Sequence, residues 1–312
     1  MNKLTVSSSP HFRSRRTTSG IMLDVIIALL PASVMGVVLF GWRALLVIAS
    51  CVLSSVVFEC LFNLICKREQ TVSDLSAVVT GLILALNLRA DAPIWQCVVG
   101  SAFAIIVVKC LFGGLGANFA NPAAAARVFM VVCFTATIGG GAELIVKDGT
   151  AELVTSVTPL ASLSGGGELP SLLDMFLGRY GGAIGETCTA LLLVGFVYLV
   201  VRRVVNFEIP LIFVGTVFVL SLIVDNSFTA ALYQVLSGGL VFGAVFMATD
   251  YVTTPITRSG KMIFAFGCGL ITFLIRYFGA YPEGVSFAIL FMNILSPYIE
   301  KWTAKRALGG KK

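Results

Sequence analysis

Charged residues are scarce in this chain. Only 12% of its 312 residues are Asp, Glu, Lys or Arg, whereas an average soluble domain carries roughly 25%. Hydrophobic residues make up 57%, and the mean hydropathy is +0.96. Apolar runs near the ~20 residues that cross a bilayer recur from Ile21 to Tyr298, which leaves room for no soluble domain larger than one loop. The composition therefore excludes a soluble globular protein and predicts an integral membrane protein.

Histidine is almost absent, and cysteine occurs without metal-binding spacing. The single histidine, His11, lies in the amino-terminal segment, which argues against a histidine-based metal or haem site. The eight cysteines include no C-x-x-C pair, so we do not expect four thiolates of this chain to hold an iron–sulfur cluster. We therefore predict no metal site and interpret the cysteines as small packing residues. They are Cys51, Cys60, Cys66, Cys97, Cys110, Cys133, Cys188 and Cys268.

The apolar runs predict an all-α polytopic protein with about ten transmembrane helices. They lie near 21–41, 44–65, 72–88, 93–112, 121–138, 187–201, 207–224, 228–249, 261–279 and 284–300. Residues 1–20 have no apolar core and no small-residue cleavage site, so we interpret them as a retained cytoplasmic tail. The predicted order is this tail, a five-helix unit (21–138), an extracytoplasmic loop (139–186), a second five-helix unit (187–302) and a basic cytoplasmic tail (303–312).

Basic residues are distributed unequally between the two sides of these spans. Of the 22 Lys and Arg residues, fifteen fall on the side of the amino terminus, four in the opposite loops and three inside spans. Because cytoplasmic loops are enriched in Lys and Arg, both termini are predicted to be cytoplasmic. The net charge of +6 then reflects membrane topology, and no nucleic-acid partner is needed to explain it. The loop 139–186 is placed outside, with an interfacial helix near Pro170 to Leu177, and Thr187 is placed at the outer membrane surface.

The two five-helix units resemble each other. Their third spans carry Thr80-Gly81-Leu82 and Gly238-Gly239-Leu240, followed by Pro93-Ile94 and Pro255-Ile256. Their fifth spans begin at Phe112-Gly113 and Phe278-Gly279. An odd number of spans places the halves in opposite orientations, so we predict two inverted repeats with a site between them. Chance likeness between glycine-rich spans is the alternative.

Glycine and polar residues at corresponding places predict broken or re-entrant helices. The clearest stretch runs from Gly113 to Ala123 and contains Asn118 and Asn121 just before Pro122, a natural first helical residue. Backbone facing lipid cannot be left without hydrogen-bond partners, so such a break should line a buried site. Asn118 and Asn121 are candidate binding residues, and simple helix capping by Asn121 is the alternative.

Five ionisable residues fall inside predicted spans and each needs a partner or a wet cavity, because a charge at the bilayer centre costs about 2.5 to 3.5 kcal/mol on insertion scales. Structural ion pairs are one interpretation, and an ion path through Asp24 and Glu59 is the other. The five are Asp24, Glu59, Lys109, Arg127 and Arg276.

Small and polar residues from Gly182 to Thr189 stand at the start of the sixth span, where a helix should be entering lipid. A threonine hydroxyl can form a phosphoester, and flanking glycines let another molecule approach the backbone. The alternative is a glycine-rich helix start with Thr187 or Thr189 as a cap.

This segment resembles the Gly-Ser-x-Gly-Glu-Thr-Ser sequence of a family of membrane proteins found in Rnf complexes and in sodium-pumping NADH:quinone reductases. The resemblance extends along most of the chain. It includes Met247-Ala248-Thr249-Asp250 with Thr253 and Pro255, Ser76 to Ala85, Asn121-Pro122-Ala123, and Tyr281 to Leu290. The short amino-terminal region is closer to the D subunits of Rnf complexes than to the B subunits of the quinone reductases.

The resemblance implies a protein that relays electrons between ferredoxin and NAD with coupled translocation of Na⁺ or H⁺. It implies FMN attached covalently to Thr187 on the extracytoplasmic side, with Gly185 and Glu186 in the same motif. It also implies non-covalent riboflavin near the inner side between the repeats. The Gly113 to Asn121 turn is a candidate for this site or for the ion site, and Asn118, Asn121 and Asp250 are candidate cofactor-binding residues. The implied partners are the A, B, C, E and G subunits of the Rnf complex and a flavin transferase. The chain itself would hold no catalytic residue and would act only within the complex.

Two departures and two alternatives accompany this interpretation. Gly181-Gly182-Ala183 replaces the usual Pro-Gly-Ser, and Cys188 replaces the usual serine, whereas Thr187 is retained. The alternatives are the B subunit of the sodium-translocating NADH:quinone reductase and a secondary transporter with inverted repeats but no redox role.

Overall fold

The computed structural model describes residues 17–138, 141–147, 150–165, 167, 169–279 and 283–304. Within these residues the chain forms fourteen helices and one two-stranded sheet. The helices are α1 Thr18–Phe40, α2 Trp42–Ile65, α3 Ser76–Leu86, α4 Ile94–Cys110, α5 Pro122–Cys133, α6 Thr135–Ile138, α7 Pro159–Gly165, α8 Leu172–Leu177, α9 Thr189–Val201, α10 Glu208–Asp225, α11 Phe228–Leu236, α12 Leu240–Met247, α13 Arg258–Phe278 and α14 Val285–Thr303. The strands are β1 Gly141–Lys147 and β2 Thr150–Ser156.

Each of the ten predicted spans contains at least one of these helices, which confirms the all-α membrane fold class. The expected length is wrong for several of them. Among the described residues, four helices (α1, α2, α10 and α13) are long and apolar enough to cross a bilayer, and the bent pair α11–α12 would make a fifth. The 11 residues of α3 span only about 16 Å. Short helices inside the membrane must therefore be completed by neighbouring backbone.

The breaks predicted at Gly113 to Asn121 and at Gly238-Gly239 are present, whereas the one expected at Thr80-Gly81 is not, since α3 runs through these residues without interruption. The third span of the first half is interrupted at Leu75 (φ 64°), between a short 3₁₀ turn, Val72–Asp74, and α3. The third span of the second half bends by 62° between α11 and α12, at Gly238 and Gly239, whose φ angles are 66° and 63°. These positive φ values favour glycine, and they end one helix so that another can start in a new direction. The break expected at Tyr281 and Pro282 lies outside the described residues.

Contacts between helices repeat from one half to the other. Three helix pairs of the first half have a counterpart in the second. The α2–α4 pair corresponds to α10–α13, and the α1–α3 pair corresponds to α9–α12. The α3–α5 pair corresponds to the contact between the end of α12 and α14. Equivalent helices also meet across the halves, in the pairs α1–α9 and α5–α14. At the first crossing, a Cβ on Gly195 would overlap the carbonyl oxygen of Ala28. This arrangement is the one an internal repeat with a two-fold relation produces. One hydrophobic core runs through both halves.

The loop between the halves contains more regular structure than its sequence led us to expect. Strands β1 and β2 form an antiparallel hairpin in which Lys147 pairs with Thr150. The sequence signal for it was available, since an Asp-Gly pair such as Asp148-Gly149 is a strong indicator of a two-residue hairpin loop. The helix predicted near Pro170 to Leu177 is present as α8, which Ser171 caps by accepting a hydrogen bond from the amide of Asp174.

Candidate functional site

Thr187 lies in a tight turn two residues before α9. The turn is fixed to the end of α3 by main-chain hydrogen bonds from Ile184 N to Leu88 O (3.0 Å) and from Gly185 N to Leu86 O (2.8 Å). A Cβ on Gly185 would approach the Leu86 Cβ to 2.6 Å, so this close contact requires glycine. The predicted motif is therefore a tertiary contact between the two halves as well as a helix start.

The side chain of Thr187 is buried, whereas a residue at the membrane surface was expected to be accessible. It is 1% exposed. Gly178 and Gly182 lie directly against it, because a Cβ on Gly178 would come within 2.9 Å of the Thr187 carbonyl carbon and one on Gly182 within 3.3 Å of its Cγ2. Gly182 also pairs with Ala142 of β1 through two main-chain hydrogen bonds. The hairpin therefore holds a glycine cover, Gly178 to Gly182, in place over Thr187.

Glu186 belongs to a buried group of charged residues. Burial is the main reason that its pKa rises to about 8, and the charge of Glu283 raises it further, whereas Arg127 and Arg276 act in the opposite direction. The Tyr180 hydroxyl donates to the Glu186 carbonyl oxygen at 3.2 Å, and burial also raises the pKa of this tyrosine. At pH 7 the Glu186 carboxyl group is therefore mostly protonated.

Asn118, Asn121 and Asp250 line one cleft between the two halves. The cleft has a cavity volume of about 90 Å³, smaller than the ~300–1,000 Å³ of typical small-molecule sites. Its walls come from α1, α3, the Leu115 to Ala123 segment, the end of α9 and the end of α12. These three are candidate binding residues of the sequence, and the structure brings them together. None of Gly185, Glu186 and Thr187 lines this cleft, so the six candidates form two separate sites.

The two asparagines have different surroundings. Asn121 accepts hydrogen bonds from the amides of Ala123 and Ala124 and donates to the Met247 carbonyl oxygen at 3.2 Å. It thus caps α5, as the alternative interpretation expected, and also ties α5 to α12. Asn118 donates to the Ala120 carbonyl oxygen at 3.1 Å, while its Oδ1 is buried with no hydrogen-bond partner among the described residues. An acceptor is therefore available at the cleft.

Asp250 follows α12 and is held by its own turn. Its carboxylate accepts from the amide of Val252 at 3.3 Å and from the Thr253 hydroxyl at 3.3 Å. Burial raises the pKa of this carboxyl group, and these two hydrogen bonds partly offset the effect.

A buried ion pair that the sequence did not reveal lies beside the cleft. Lys109 Nζ lies 2.9 Å from Glu59 Oε1 and 2.6 Å from Ser76 Oγ, and both charged side chains are 2% exposed. Thr71 donates to the same Glu59 oxygen at 2.7 Å, while Glu59 Oε2 has no partner in the described part of the chain. The pair joins α2 to α4 and places a lysine at the cleft.

The other intramembrane charges also have partners, as predicted. Asp24 accepts from Tyr198 at 2.9 Å and from Arg202 Nε at 3.2 Å. Arg127 pairs with Glu283 at 2.8 Å. Arg276 donates to main-chain carbonyl oxygens at the α11–α12 break. Partner choice was not readable from the sequence, because the partners are up to 178 residues apart.

Fold and sites together define a polytopic membrane protein of two similar five-helix halves, with a cleft between them and a buried, glycine-covered threonine. The chain belongs to the NQR2, RnfD, RnfE family, whose pattern matches residues 5–309.

Similar proteins cover almost the whole chain. It is 46% identical to the D subunit of the Na(+)-translocating ferredoxin:NAD(+) oxidoreductase complex of Acetobacterium woodii, over 98% of this chain and 95% of the relative. It is 39% identical to the D subunit of the proton-translocating ferredoxin:NAD(+) oxidoreductase complex of Clostridium ljungdahlii, over 100% and 98%. It is 38% identical to the D subunit of the ion-translocating oxidoreductase complex of Stutzerimonas stutzeri, over 95% and 93%.

Proposed function

We propose that this chain is the D subunit of an Rnf-type complex that transfers electrons between ferredoxin and NAD and couples this transfer to ion translocation. The observation that carries the proposal is the end-to-end similarity to D subunits of such complexes, including one at 46% identity. Its partners would be the A, B, C, E and G subunits of the Rnf complex. The named relatives include both a sodium and a proton translocator, so overall similarity favours neither ion.

We further propose that Thr187 carries FMN through a phosphoester formed by a flavin transferase. Glycines pack directly against Thr187, so room for the group requires them to move, and Arg127, which acts electrostatically on the adjacent Glu186, has a donor without a partner among the described residues. The flavin ring would supply the redox chemistry, and the protein its position and electrostatics. Because Thr187 is 1% exposed, its attachment requires the Gly178 to Gly182 cover to be displaced.

A denaturing gel tests this proposal on the wild-type chain purified from its native complex. A fluorescent band of this polypeptide, with the modified peptide mapped to Thr187, is the expected result. A chain without bound flavin would instead favour the alternative, a secondary transporter with the same fold.

The cleft is the proposed site of the non-covalent flavin, riboflavin. Asn118 offers an unpartnered acceptor to a ring N–H, and the flavin would have to widen the cavity, whose volume is about 90 Å³. We expect Asn118→Leu to weaken retention of this flavin about tenfold, since a hydrogen bond to a buried polar group contributes on the order of 1 kcal/mol or more. Flavin released by denaturation measures the loss, and the label on Thr187 should remain.

The control for this variant is Gln96→Leu, which removes a buried amide of α4 that contacts Thr137 and not the cleft. Equal retention in Asn118→Leu, Gln96→Leu and wild-type protein would remove Asn118 from the site.

The sidedness of the chain is also a proposal, based on the distribution of basic residues. Leu173 of α8 is 73% exposed and Ile256 before α13 is 78% exposed, so cysteines at either position can react. An impermeant thiol reagent added to intact cells should label Leu173→Cys and leave Ile256→Cys unlabelled. The reverse pattern would place Thr187 on the cytoplasmic side.

A further inference from the structure

Four charged residues come together beside the Thr187 turn, each from a different part of the chain. Arg127 is in α5, Arg276 near the end of α13, Glu283 just before α14, and Glu186 next to Thr187. Arg127 Nη2 lies 2.8 Å from Glu283 Oε2. Both arginines act electrostatically on Glu186, which places them within interaction range of the residue that precedes Thr187.

Glycines bring Arg276 and Glu186 close to one another. A Cβ on Gly238 would lie 3.0 Å from Arg276 Nη2, and a Cβ on Gly239 would overlap Glu186 Oε1. The α11–α12 break thus passes between the guanidinium group and the carboxyl group. Arg276 Nη2 donates to the carbonyl oxygens of Ser237 (3.0 Å) and Gly238 (3.2 Å), which fixes the guanidinium in place.

Both arginines keep a donor without an acceptor in the part of the chain that the structure describes. Arg127 Nη1 and Arg276 Nε are buried without a hydrogen-bond partner among the described residues, and the two side chains are 4% and 9% exposed. An unsatisfied buried donor costs about 1 to 3 kcal/mol, and more when it is charged. Two such donors in one cluster indicate that an acceptor belongs there.

The charges of the cluster do not balance either. Two arginines contribute two positive charges and Glu283 one negative charge, whereas Glu186 is mostly protonated at pH 7. One positive charge is left over in a buried site. A phosphodiester on a threonine carries one negative charge and several strong acceptor oxygens, so it matches both the excess charge and the free donors.

We propose that Arg127 and Arg276 form the anion site that holds the phosphodiester of the flavin on Thr187. This inference rests on the proposed function, since it needs flavin at that residue. The guanidinium groups act as positioning residues: they neutralise the buried phosphate and fix the link between the cofactor and the chain.

The test compares the melting temperature of the chain with and without its covalent flavin, obtained by expression with and without the flavin transferase. Flavin attachment should raise the melting temperature of the wild-type protein, because the phosphate satisfies the two donors. In Arg127→Gln the flavin-dependent increase in melting temperature should fall to about half or less of the wild-type increase. Groups that interact directly are not additive in a double-mutant cycle, so the loss of one reduces the effect of the other. Arg276→Gln should behave in the same way.

Arg202→Gln is the matched control, since this arginine pairs with Asp24 and not with the cluster. The increase in melting temperature on flavin attachment should be the same in this variant as in the wild type. If Arg127→Gln does not fold, Arg127→Lys decides the question: it keeps the charge beside Glu283 but loses the second donor group, and should lower the increase.

If flavin attachment raises the melting temperature equally in the wild type, the cluster variants and the control, the proposed anion site is wrong. The proposal that flavin is attached to Thr187 would not be affected by that result. Absence of label from the wild type expressed with the transferase would instead overturn the proposed function itself.

Discussion

Thr187→Ala is expected to abolish the covalent flavin of this chain. The hydroxyl of Thr187 is the proposed phosphoester acceptor, and alanine has no atom that can replace it. Fluorescence of the denatured polypeptide should therefore fall to background. Thr187→Ser should keep the label, because serine retains the hydroxyl.

Thr189→Ala is the matched control for this loss. Thr189 is the first residue of α9 and is 3% exposed, close to the 1% of Thr187, so both alanine variants remove the same atoms from buried positions two residues apart. Each should cost about 1 kcal/mol of stability, and only Thr187→Ala should lose flavin. Label that persists in Thr187→Ala and maps to another peptide would remove the central assignment.

Lys109→Met is expected to give the largest loss of stability of any single change proposed for this chain. It leaves the Glu59 carboxylate buried between α2 and α4 without its cation. Removing one partner of a buried ion pair costs about 3 to 5 kcal/mol, because an uncompensated charge remains in a low-dielectric interior. Thermal unfolding of the purified protein in detergent measures this cost.

Two further variants distinguish the effect of the lost charge in Lys109→Met from the effect of changed packing. The double variant Lys109→Met with Glu59→Gln removes both charges, and the new side-chain amide can still accept from the Thr71 hydroxyl, so most of the lost stability should return. Arg258→Met breaks the Arg258–Glu208 pair, in which the arginine side chain is 79% exposed, and should cost at most about 1 kcal/mol. A Lys109→Met protein as stable as Arg258→Met would mean that the buried pair contributes nothing.

The helix breaks and the cap of α5 are features that local sequence predicts. Gly238 and Gly239 lie at positive φ, where glycine has no steric cost, and Asn121 caps α5 ahead of Pro122, as both patterns predicted. The hairpin was not predicted although Asp148-Gly149 is a strong turn signal, because apolar runs of helical length dominate the hydropathy pattern on both sides of this loop.

The sequence by itself determined the class of this protein, the ten helical segments, the helix breaks and the threonine motif. Each of these follows from run length, composition or backbone preference within a few neighbouring residues. Only the tertiary structure decided that Thr187 is buried under a glycine cover, that Lys109 pairs with Glu59 and Arg127 with Glu283, and that Asn118 and Asp250 share a cleft which excludes Thr187. The two ion pairs join residues 50 and 156 positions apart, and their geometry is set by how whole helices pack. No local pattern carries that information.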